Sequence, residues 1–234
     1  AAVEQLVPAL VTAFEKNYNA SEPQNAKLAE AIIILKNWDL RCAEASVATT
    51  LAVEWGQRVL PMIAKIAAAA SADATDQVTV TNQYAVTAEA SELVETLRAT
   101  LAYLETRYGK WQVAWGDVNR FQRIANENIF DDSKPSYPVA FASSLWGMLP
   151  SYTSRNFPGN TKRYGVNGNS FICAVEFGKK IKAKSLLAGG VSGDPTSPHF
   201  FDQGKMYSKG IFKDVLFYKE DVKKHVAKEY HPGQ

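Results

Sequence analysis

Residues 170–177 read Ser-Phe-Ile-Cys-Ala-Val-Glu-Phe, a stretch that decides the fold class because it is rich in residues that favour β-strands. Residues 178–180 are Gly-Lys-Lys, which favours a turn, and a second apolar run follows at 183–191. This pattern predicts a β-hairpin. The run Leu-Leu-Ala at 186–188 is typical of a strand covered on both faces, so we expect the hairpin to lie inside a layered fold.

The first half of the chain has a different pattern, because apolar residues recur there at three- and four-residue spacing. This spacing predicts four helices, at 3–16, 25–38, 46–69 and 87–108. Pro61 lies inside the third predicted helix and is expected to kink or shorten its C-terminal part. Small and polar residues at 70–83 predict a mobile connector between the third and fourth helices.

The second half of the chain is rich in Gly, Pro, Asn and aromatic residues, which favour strands and loops over long helices. After the hairpin, the pattern predicts a short helix at 201–209, a last strand at 215–218 and a terminal helix at 219–227. We therefore predict an α+β fold. Its helical region covers residues 1–110, and a strand- and loop-rich region covers 111–234.

The composition is that of a globular chain and excludes several partners. Of its 234 residues, 46% are hydrophobic and 21% are charged. The 26 basic and 24 acidic side chains leave a formal net charge of +2, far from the basic excess that indicates a nucleic-acid partner. Apolar runs are much shorter than the roughly 20 residues that cross a bilayer, so no membrane span is predicted. The first residues also lack the pattern of a signal peptide.

No metal or cofactor site is predicted. Cys42 and Cys173 fit no metal-ligand spacing, and they are either two buried or free thiols or a single long-range disulfide. His225 and His231 have no Cys or carboxylate partner at ligand spacing, so we expect both to be solvated. Residues 165–170 (Gly-Val-Asn-Gly-Asn-Ser) lack the Lys-Ser/Thr ending of a phosphate-binding loop and are interpreted as a turn.

Three segments near the C-terminus carry a resemblance to a known family. Residues 190–193 are Gly-Val-Ser-Gly, residues 197–203 are Ser-Pro-His-Phe-Phe-Asp-Gln, and residues 205–207 are Lys-Met-Tyr. In this order they closely resemble the C-terminal signature of penicillin-acylase-type N-terminal-nucleophile (Ntn) hydrolases. That signature has Gly-Gln-Ser-Gly after a strand, then Ser-Pro-His-Tyr, an Asp-Gln pair and a short amphipathic helix.

Weaker matches run upstream in the family's order, so the resemblance spans most of the chain. They are Trp-Asp at 38–39, Trp-Gly-Asp-Val-Asn-Arg at 115–120 and Gly-Asn-Ser at 168–170. Two positions depart from the family pattern. Val191 stands where the family usually has Gln, and Asn119 stands where many members have His, which weakens the subfamily assignment more than the family assignment.

The resemblance implies an αββα sandwich and an enzyme that matures by self-cleavage. In such enzymes the new N-terminal residue is the nucleophile, and its own α-amino group is the general base. An α-amino pKa of roughly 8 makes this chemistry reasonable near neutral pH. The implied substrate is a small linear amide, either an acylated β-lactam or an acyl-homoserine lactone. The implied location is the periplasm or the exterior of the cell.

The resemblance assigns no catalytic residue to this chain. The family needs Ser, Thr or Cys at the mature terminus, whereas this chain begins Ala1-Ala2. The oxyanion Asn lies in a Trp-Asn-Asn-type segment, which the Asn-Trp-Asp at 37–39 does not match. We therefore expect the nucleophile and the oxyanion Asn upstream.

The implied partners are the missing N-terminal part of the large subunit and the small (α) subunit. The competing hypothesis is a non-catalytic interaction or scaffold module derived from this family.

The signature residues are predicted to act structurally, and they are Gly190, Ser192, Gly193, Ser197, His199, Asp202 and Gln203. Ser192, His199 and Asp202 invite comparison with a catalytic triad, but triads are recognised by geometry and not by short spacing. We expect His199 and Asp202 to bond the loop backbone, with Gly190 and Gly193 supplying unusual φ angles. The alternative for these residues is a place in the wall of the substrate cleft.

Two further groups of side chains have both a structural and a functional interpretation. Trp111, Trp115 and Trp146 are either core residues or part of an acyl-binding wall. Asp131 and Asp132 form a short acidic cluster, which is predicted to be a solvated face.

Overall fold

The apolar spacing of the first half produces a bundle of helices around one hydrophobic core. The structure is a computed structural model, which describes residues 2–69, 76–147, 151–231 and 233. The four predicted helices are confirmed, with ends shifted by up to three residues. The helices of this half are α1 (Ala2–Asn17), α2 (Ala26–Lys36), α3 (Val47–Ala69), α4 (Gln77–Thr87) and α5 (Ala90–Tyr108). Trp55 on α3 lies in the core, where its indole N–H donates to the carbonyl oxygen of Leu93 (3.1 Å).

Helix α4 corrects the prediction of a mobile connector at 70–83. Residues 70–75 lie outside the described residues, but Gln77–Thr87 are helical. Asp76 caps the helix, since its carboxylate accepts hydrogen bonds from the backbone N–H and hydroxyl of Thr79 (3.0 and 2.9 Å). Val80 and Tyr84 are buried on one face of α4. Tertiary burial thus overrides the β-propensity of the Val-Thr-Val-Thr sequence.

Pro61 does not end helix α3, which continues past it to Ala69. A proline removes one backbone N–H donor, and its neighbours can still hold the helix in place through packing. Val59 and Ile63 are both buried in the core on either side of Pro61, whereas Pro61 itself is exposed.

A four-stranded sheet follows the helices and is one element that sequence reasoning did not foresee. A short helix, α6 (Trp115–Val118), leads into its first strand. The strands are β1 (Asn119–Phe121), β2 (Tyr137–Pro138), β3 (Tyr152–Asn156) and β4 (Arg163–Gly168), in the order β2-β1-β4-β3. Only the β1–β4 pair is parallel.

Strand β4 corrects the interpretation of residues 165–170 as a turn, because Gly165, Asn167 and Gly168 pair with β3, with a register shift between Thr153 and Ser154 of that strand. A side chain at Gly165 would overlap with the ring and hydroxyl of Tyr152. The glycine therefore serves close strand-to-side-chain packing.

The predicted hairpin is confirmed. Strand β5 (Phe171–Glu176) pairs in antiparallel register with β6 (Lys182–Leu187), from Phe171 opposite Leu187 to Glu176 opposite Lys182. Strand β7 (Lys213–Val215) adds to the other side of β6. The last predicted strand thus exists but lies earlier than 215–218. Helix α7 (Gly204–Lys209) and the terminal helix α8 (Lys219–Lys223) are shorter than predicted.

The expectation that this sheet is covered on both faces is wrong for the described residues. Leu186 on β6 is buried, but Phe171 and Val175 on β5 are 57% and 44% exposed, and Val215 on β7 is 40% exposed. An apolar strand sequence indicates that both faces of the sheet can be buried, but the helices or strands that bury them are not encoded in the strand itself. The described residues therefore leave about half of each of these three side chains open to solvent.

The fold is α+β, as predicted, and it forms two compact units. The larger unit contains residues up to Gln122 together with Phe130–Gly168, and the smaller contains Arg123–Ile129 with residues from Asn169 onward. The predicted boundary at residue 110 stays a prediction. Both cysteines are free thiols, Cys42 half-buried and Cys173 exposed. Within the described ranges, no helix combines the length and apolarity needed to cross a membrane.

Candidate functional site

The signature loop, residues 190–207, closes on itself through backbone hydrogen bonds in the smaller unit. The carbonyl oxygen of Gly189, just after β6, accepts from the N–H of Gln203 (2.7 Å). The N–H of Ser192 donates to the carbonyl oxygen of His199 (3.1 Å). These two bonds hold the start of the loop against the segment that enters α7.

Position 190 requires glycine because the surrounding atoms leave no room for a side chain, and not because of an unusual φ angle. A Cβ at this position would overlap with the carbonyl oxygen of His199 and would approach Asp202 Oδ1 to 2.7 Å. The left-handed backbone lies one residue earlier, since Gly189 has φ +103°. A Cβ at Gly193 would have no described heavy atom within 4 Å, and the φ angle of Gly193 is not positive. The expected φ role of Gly190 and Gly193 is therefore wrong.

His199 and Asp202 bond to each other. His199 Nδ1 lies 2.8 Å from Asp202 Oδ2, and the His199 side chain is 64% exposed. The hydroxyl of Ser192 accepts from the N–H of Asp194 (3.0 Å), and Ser192 contacts His199 through backbone atoms. A nucleophile needs its hydroxyl within reach of the base, and the described bonds do not join these two groups.

Ser197 and Phe200 fix the middle of the signature loop. The hydroxyl of Ser197 accepts from the N–H of His199 (3.1 Å), and the carbonyl oxygen of Ser197 accepts from the N–H of Phe200 (3.1 Å). Phe200 is buried beneath the guanidinium of Arg123, which lies 3.9 Å from the ring centroid and donates to the Phe200 carbonyl oxygen (2.9 Å). Sequence reasoning missed Arg123, because it comes from a segment far away in sequence.

Gln203 and Tyr207 anchor α7 beneath the loop. Gln203 is 7% exposed, and its backbone carbonyl oxygen accepts from the N–H of Tyr207 (2.8 Å). Its side-chain Oε1 is buried without a hydrogen-bond partner among the described residues. Tyr207 is 1% exposed, and burial raises the pKa of its hydroxyl to about 12. Tyr207 is therefore a core residue that stays neutral at physiological pH.

Asn119, the second departure from the family pattern, is a buried structural residue of the larger unit. Its side-chain Nδ2 donates to the carbonyl oxygens of Val139 and Phe141 (2.8 and 2.9 Å), and its backbone carbonyl oxygen accepts from the N–H of Val139 (3.0 Å). These bonds join β1 to the chain that follows β2. Like the neighbouring Trp115, which is 1% exposed, Asn119 supports the fold of its segment.

Asp132 corrects the prediction of a solvated acidic face. Its carboxylate accepts from the hydroxyl of Tyr164 (2.7 Å) and from the N–H of Thr161 (2.6 Å). Its own N–H donates to Asn160 Oδ1 (3.0 Å). Burial raises the pKa of Asp132, but these hydrogen bonds outweigh burial and hold its pKa below the usual range. The carboxylate of Asp131 accepts from the N–H and hydroxyl of Ser133 in its local turn (2.9 and 2.6 Å), and its backbone N–H and carbonyl oxygen bond the side chain of Gln122 (both 2.9 Å).

The remaining candidates lie in structural positions. Trp111, Trp115 and Trp146 are buried in the hydrophobic core, as the structural interpretation expects. His225 Nδ1 lies 2.9 Å from the carbonyl oxygen of Asp221 in α8, and both His225 and His231 are exposed. Over the residues whose placement is described, no group of three or more His, Cys, Asp or Glu side chains is arranged to hold a metal ion.

Comparison with known families gives one match of almost the full chain. A family model described as Penicillin amidase matches residues 1–224. The match contains the whole signature loop and the upstream segments at 38–39, 115–120 and 168–170.

Proposed function

Because the chain belongs to the penicillin amidase family, we propose that it is the C-terminal part of the large subunit of an amidohydrolase. The intact enzyme hydrolyses a linear amide to a carboxylic acid and an amine. The family match over residues 1–224 is the observation that carries this proposal. Members of the family are hydrolases that are processed into more than one subunit, which agrees with a chain that forms one part of a larger enzyme.

In this proposal the chemistry is performed outside the 234 residues. The nucleophile is an N-terminal Ser, Thr or Cys, whose α-amino group, with a pKa of roughly 8, accepts the hydroxyl or thiol proton. An oxyanion donor typically contributes about 3–4 kcal/mol to stabilising the tetrahedral intermediate. The internal bonding of the signature loop supports this division, since the Ser192 hydroxyl is engaged by the Asp194 N–H and not by the His199 ring.

The exposed sheet face supports a large partner from the same enzyme. Val175 on β5, Ala183 on β6 and Val215 on β7 are opposite one another in register, so they lie on one face of the sheet. Phe171 shares that face because side chains alternate along a strand. We propose that the N-terminal part of the large subunit covers this face and completes the αββα sandwich, and that the small subunit packs on the assembled enzyme.

The proposed substrate is an acylated β-lactam or an acyl-homoserine lactone, and the corresponding roles are antibiotic metabolism or quorum quenching. The acyl pocket decides between them, and pockets that differ by one methylene discriminate by only about 1–3 kcal/mol. The proposed location is the periplasm or the exterior of the cell, where such enzymes act.

Activity measurements test the proposal. We expect the natural-length protein to hydrolyse phenylacetyl amides or acyl-homoserine lactones, and we expect the 234-residue chain alone to be inactive. Ser192→Ala in the natural-length protein should retain turnover, because Ser192 has a structural role. Turnover by the 234-residue chain that disappears on Ser192→Ala would overturn the assignment of the active site.

The scaffold alternative is separated by reading the coding sequence upstream of Ala1. A Ser, Thr or Cys after a processing site a few hundred codons upstream supports the hydrolase. An initiator Met directly before Ala1, combined with no turnover, supports a non-catalytic module.

A further inference from the structure

The dipeptide Asn167-Gly168 lies at the exposed end of strand β4. Asn167 is opposite Thr153 and Gly168 is opposite Tyr152 on β3, and both residues of the dipeptide are exposed to solvent. Gly168 is the last residue of the larger unit, and the chain passes into the smaller unit at Asn169. A chemical change at this position therefore alters the covalent connection between the two units.

An asparagine followed by glycine is chemically reactive, because the backbone nitrogen of the following residue can attack the carboxamide carbon of the asparagine side chain. A side chain on the attacking residue hinders this approach, and glycine has no Cβ. Gly168 cannot be exchanged for a larger residue in this fold, since a Cβ there would overlap with the carbonyl oxygen of Ser151. Close packing thus keeps the reactive partner in place.

The hydrogen bonding of the strand leaves the Gly168 nitrogen outside the ladder. Residues directly opposite in an antiparallel pair exchange both backbone hydrogen bonds or neither. The N–H of Tyr152, opposite Gly168, donates to the carbonyl oxygen of Ala142 (3.0 Å), so Tyr152 and Gly168 are not a doubly bonded pair. On the other side of β4, strand β1 pairs only with Arg163 and Tyr164. By this register the Gly168 N–H points away from β3, where it can lose its proton and attack.

We propose that Asn167-Gly168 is a site of spontaneous deamidation in the folded protein. The Gly168 nitrogen forms a bond to Cγ of Asn167, the bond from Cγ to the carboxamide nitrogen breaks, and ammonia leaves. Water then opens the resulting succinimide. Attack of water at Cγ breaks the bond from Cγ to the Gly168 nitrogen and gives aspartate. Attack of water at the main-chain carbonyl carbon of Asn167 breaks the bond from that carbon to the Gly168 nitrogen and gives an isoaspartyl residue. No oxidant or reductant takes part.

The modification changes both charge and chain length at the end of β4. Each product carries a carboxylate where Asn167 has a neutral amide, and the isoaspartyl product inserts an additional methylene into the main chain. The pairing of Asn167 with Thr153 depends on regular backbone spacing, so the isoaspartyl form should loosen this end of the β3–β4 pair.

Peptide mapping by mass spectrometry tests the proposal in the natural-length protein. The protein is incubated at neutral and at mildly alkaline pH in water enriched in heavy oxygen, and then digested and sequenced in the mass spectrometer. We expect Asn167 to exchange its carboxamide nitrogen for labelled oxygen several-fold faster than two exposed asparagines that are followed by residues with side chains. These internal controls are Asn169, before Ser170, and Asn126, before Glu127. Alkaline pH should accelerate the reaction at Asn167.

The variant Asn167→Gln provides the matched control, because it keeps the amide and lengthens the side chain away from the favourable five-membered ring. We expect it to abolish the charge variant of the aged protein that anion-exchange chromatography separates. Equal rates at Asn167 and Asn169 would overturn the proposal. Modification of Asn167 only after unfolding in urea would do the same, since the strand would then be shown to protect it.

Discussion

Glu54→Gln tests the buried ion pair that joins the helices of the larger unit to its sheet. Glu54 lies on α3, its side chain is 2% exposed, and its Oε1 accepts from Arg163 Nη1 on β4 at 2.8 Å. Its Oε2 accepts from Arg58 Nη1 at 3.1 Å. The Arg163 side chain is only 9% exposed and also donates from Nη2 to the carbonyl oxygen of Ser154 (2.8 Å).

The expected loss of stability is about 3–5 kcal/mol, because removing one partner leaves the other charge buried without compensation. Gln keeps the shape of Glu54 and one acceptor, so the loss reflects the missing charge. Arg163 accounts for most of it, since its side chain is almost fully buried. Arg58 is more exposed, at 27%, and stacks on the ring of Tyr103 (4.1 Å to the centroid), so it retains favourable contacts.

Urea denaturation, followed by circular dichroism, measures the change in the free energy of unfolding. The matched control is Glu15→Gln, which removes an ion pair to Lys36 whose side chains are 48% and 57% exposed, and it should cost less than about 1 kcal/mol. The double variant Glu54→Gln/Arg163→Met should be less destabilised than the sum of the single variants. A cost for Glu54→Gln equal to that of the control, or strict additivity in the double variant, would refute the reasoning.

Two further perturbations have signs that follow from the structure. Gly56→Ala on α3 places a Cβ into the ring of the buried Trp146, and we expect this overlap to lower the free energy of unfolding by about 1–3 kcal/mol, against a gain in helix propensity of about 1 kcal/mol. Thermal unfolding measures the change, and the control Gly193→Ala should be neutral because the space around Gly193 is open. The lowered pKa of Asp132 contributes stability above about pH 4, and this stability is lost as the pH falls through the pKa of the folded state. Asp132→Asn should therefore weaken the decrease of the urea midpoint at acid pH, and an unchanged decrease would contradict this role.

Local sequence pattern predicted the elements whose stability is encoded locally. The helices α1, α2, α3 and α5 have regular apolar spacing, and the β5–β6 hairpin combines β-forming residues with a turn-forming link. Strand β1 has only three residues, and its partners come from positions distant in sequence, so no window of sequence could identify it. The same holds for α4, whose Val-Thr-Val-Thr segment becomes helical through the Asp76 cap and the burial of Val80.

The site was harder to predict because its contacts depend on groups that have no local signal. The signature identified the loop, but Arg123, which lies over Phe200, is 77 residues away in sequence. Asp132 appeared solvated because its neighbour Asp131 is charged, whereas its partners Tyr164 and Thr161 become visible only in the folded chain.

The geometry of the signature loop also explains why the sequence resemblance identifies the family but does not identify the substrate. Gly190 is small because the His199 carbonyl oxygen lies against it, and the hydroxyls of Ser192 and Ser197 accept hydrogen bonds from backbone N–H groups of the loop. These residues satisfy the loop's own polar groups, and a loop of this kind can be kept whatever acyl group the enzyme accepts. Substrate choice must therefore be sought in the residues that line the acyl pocket.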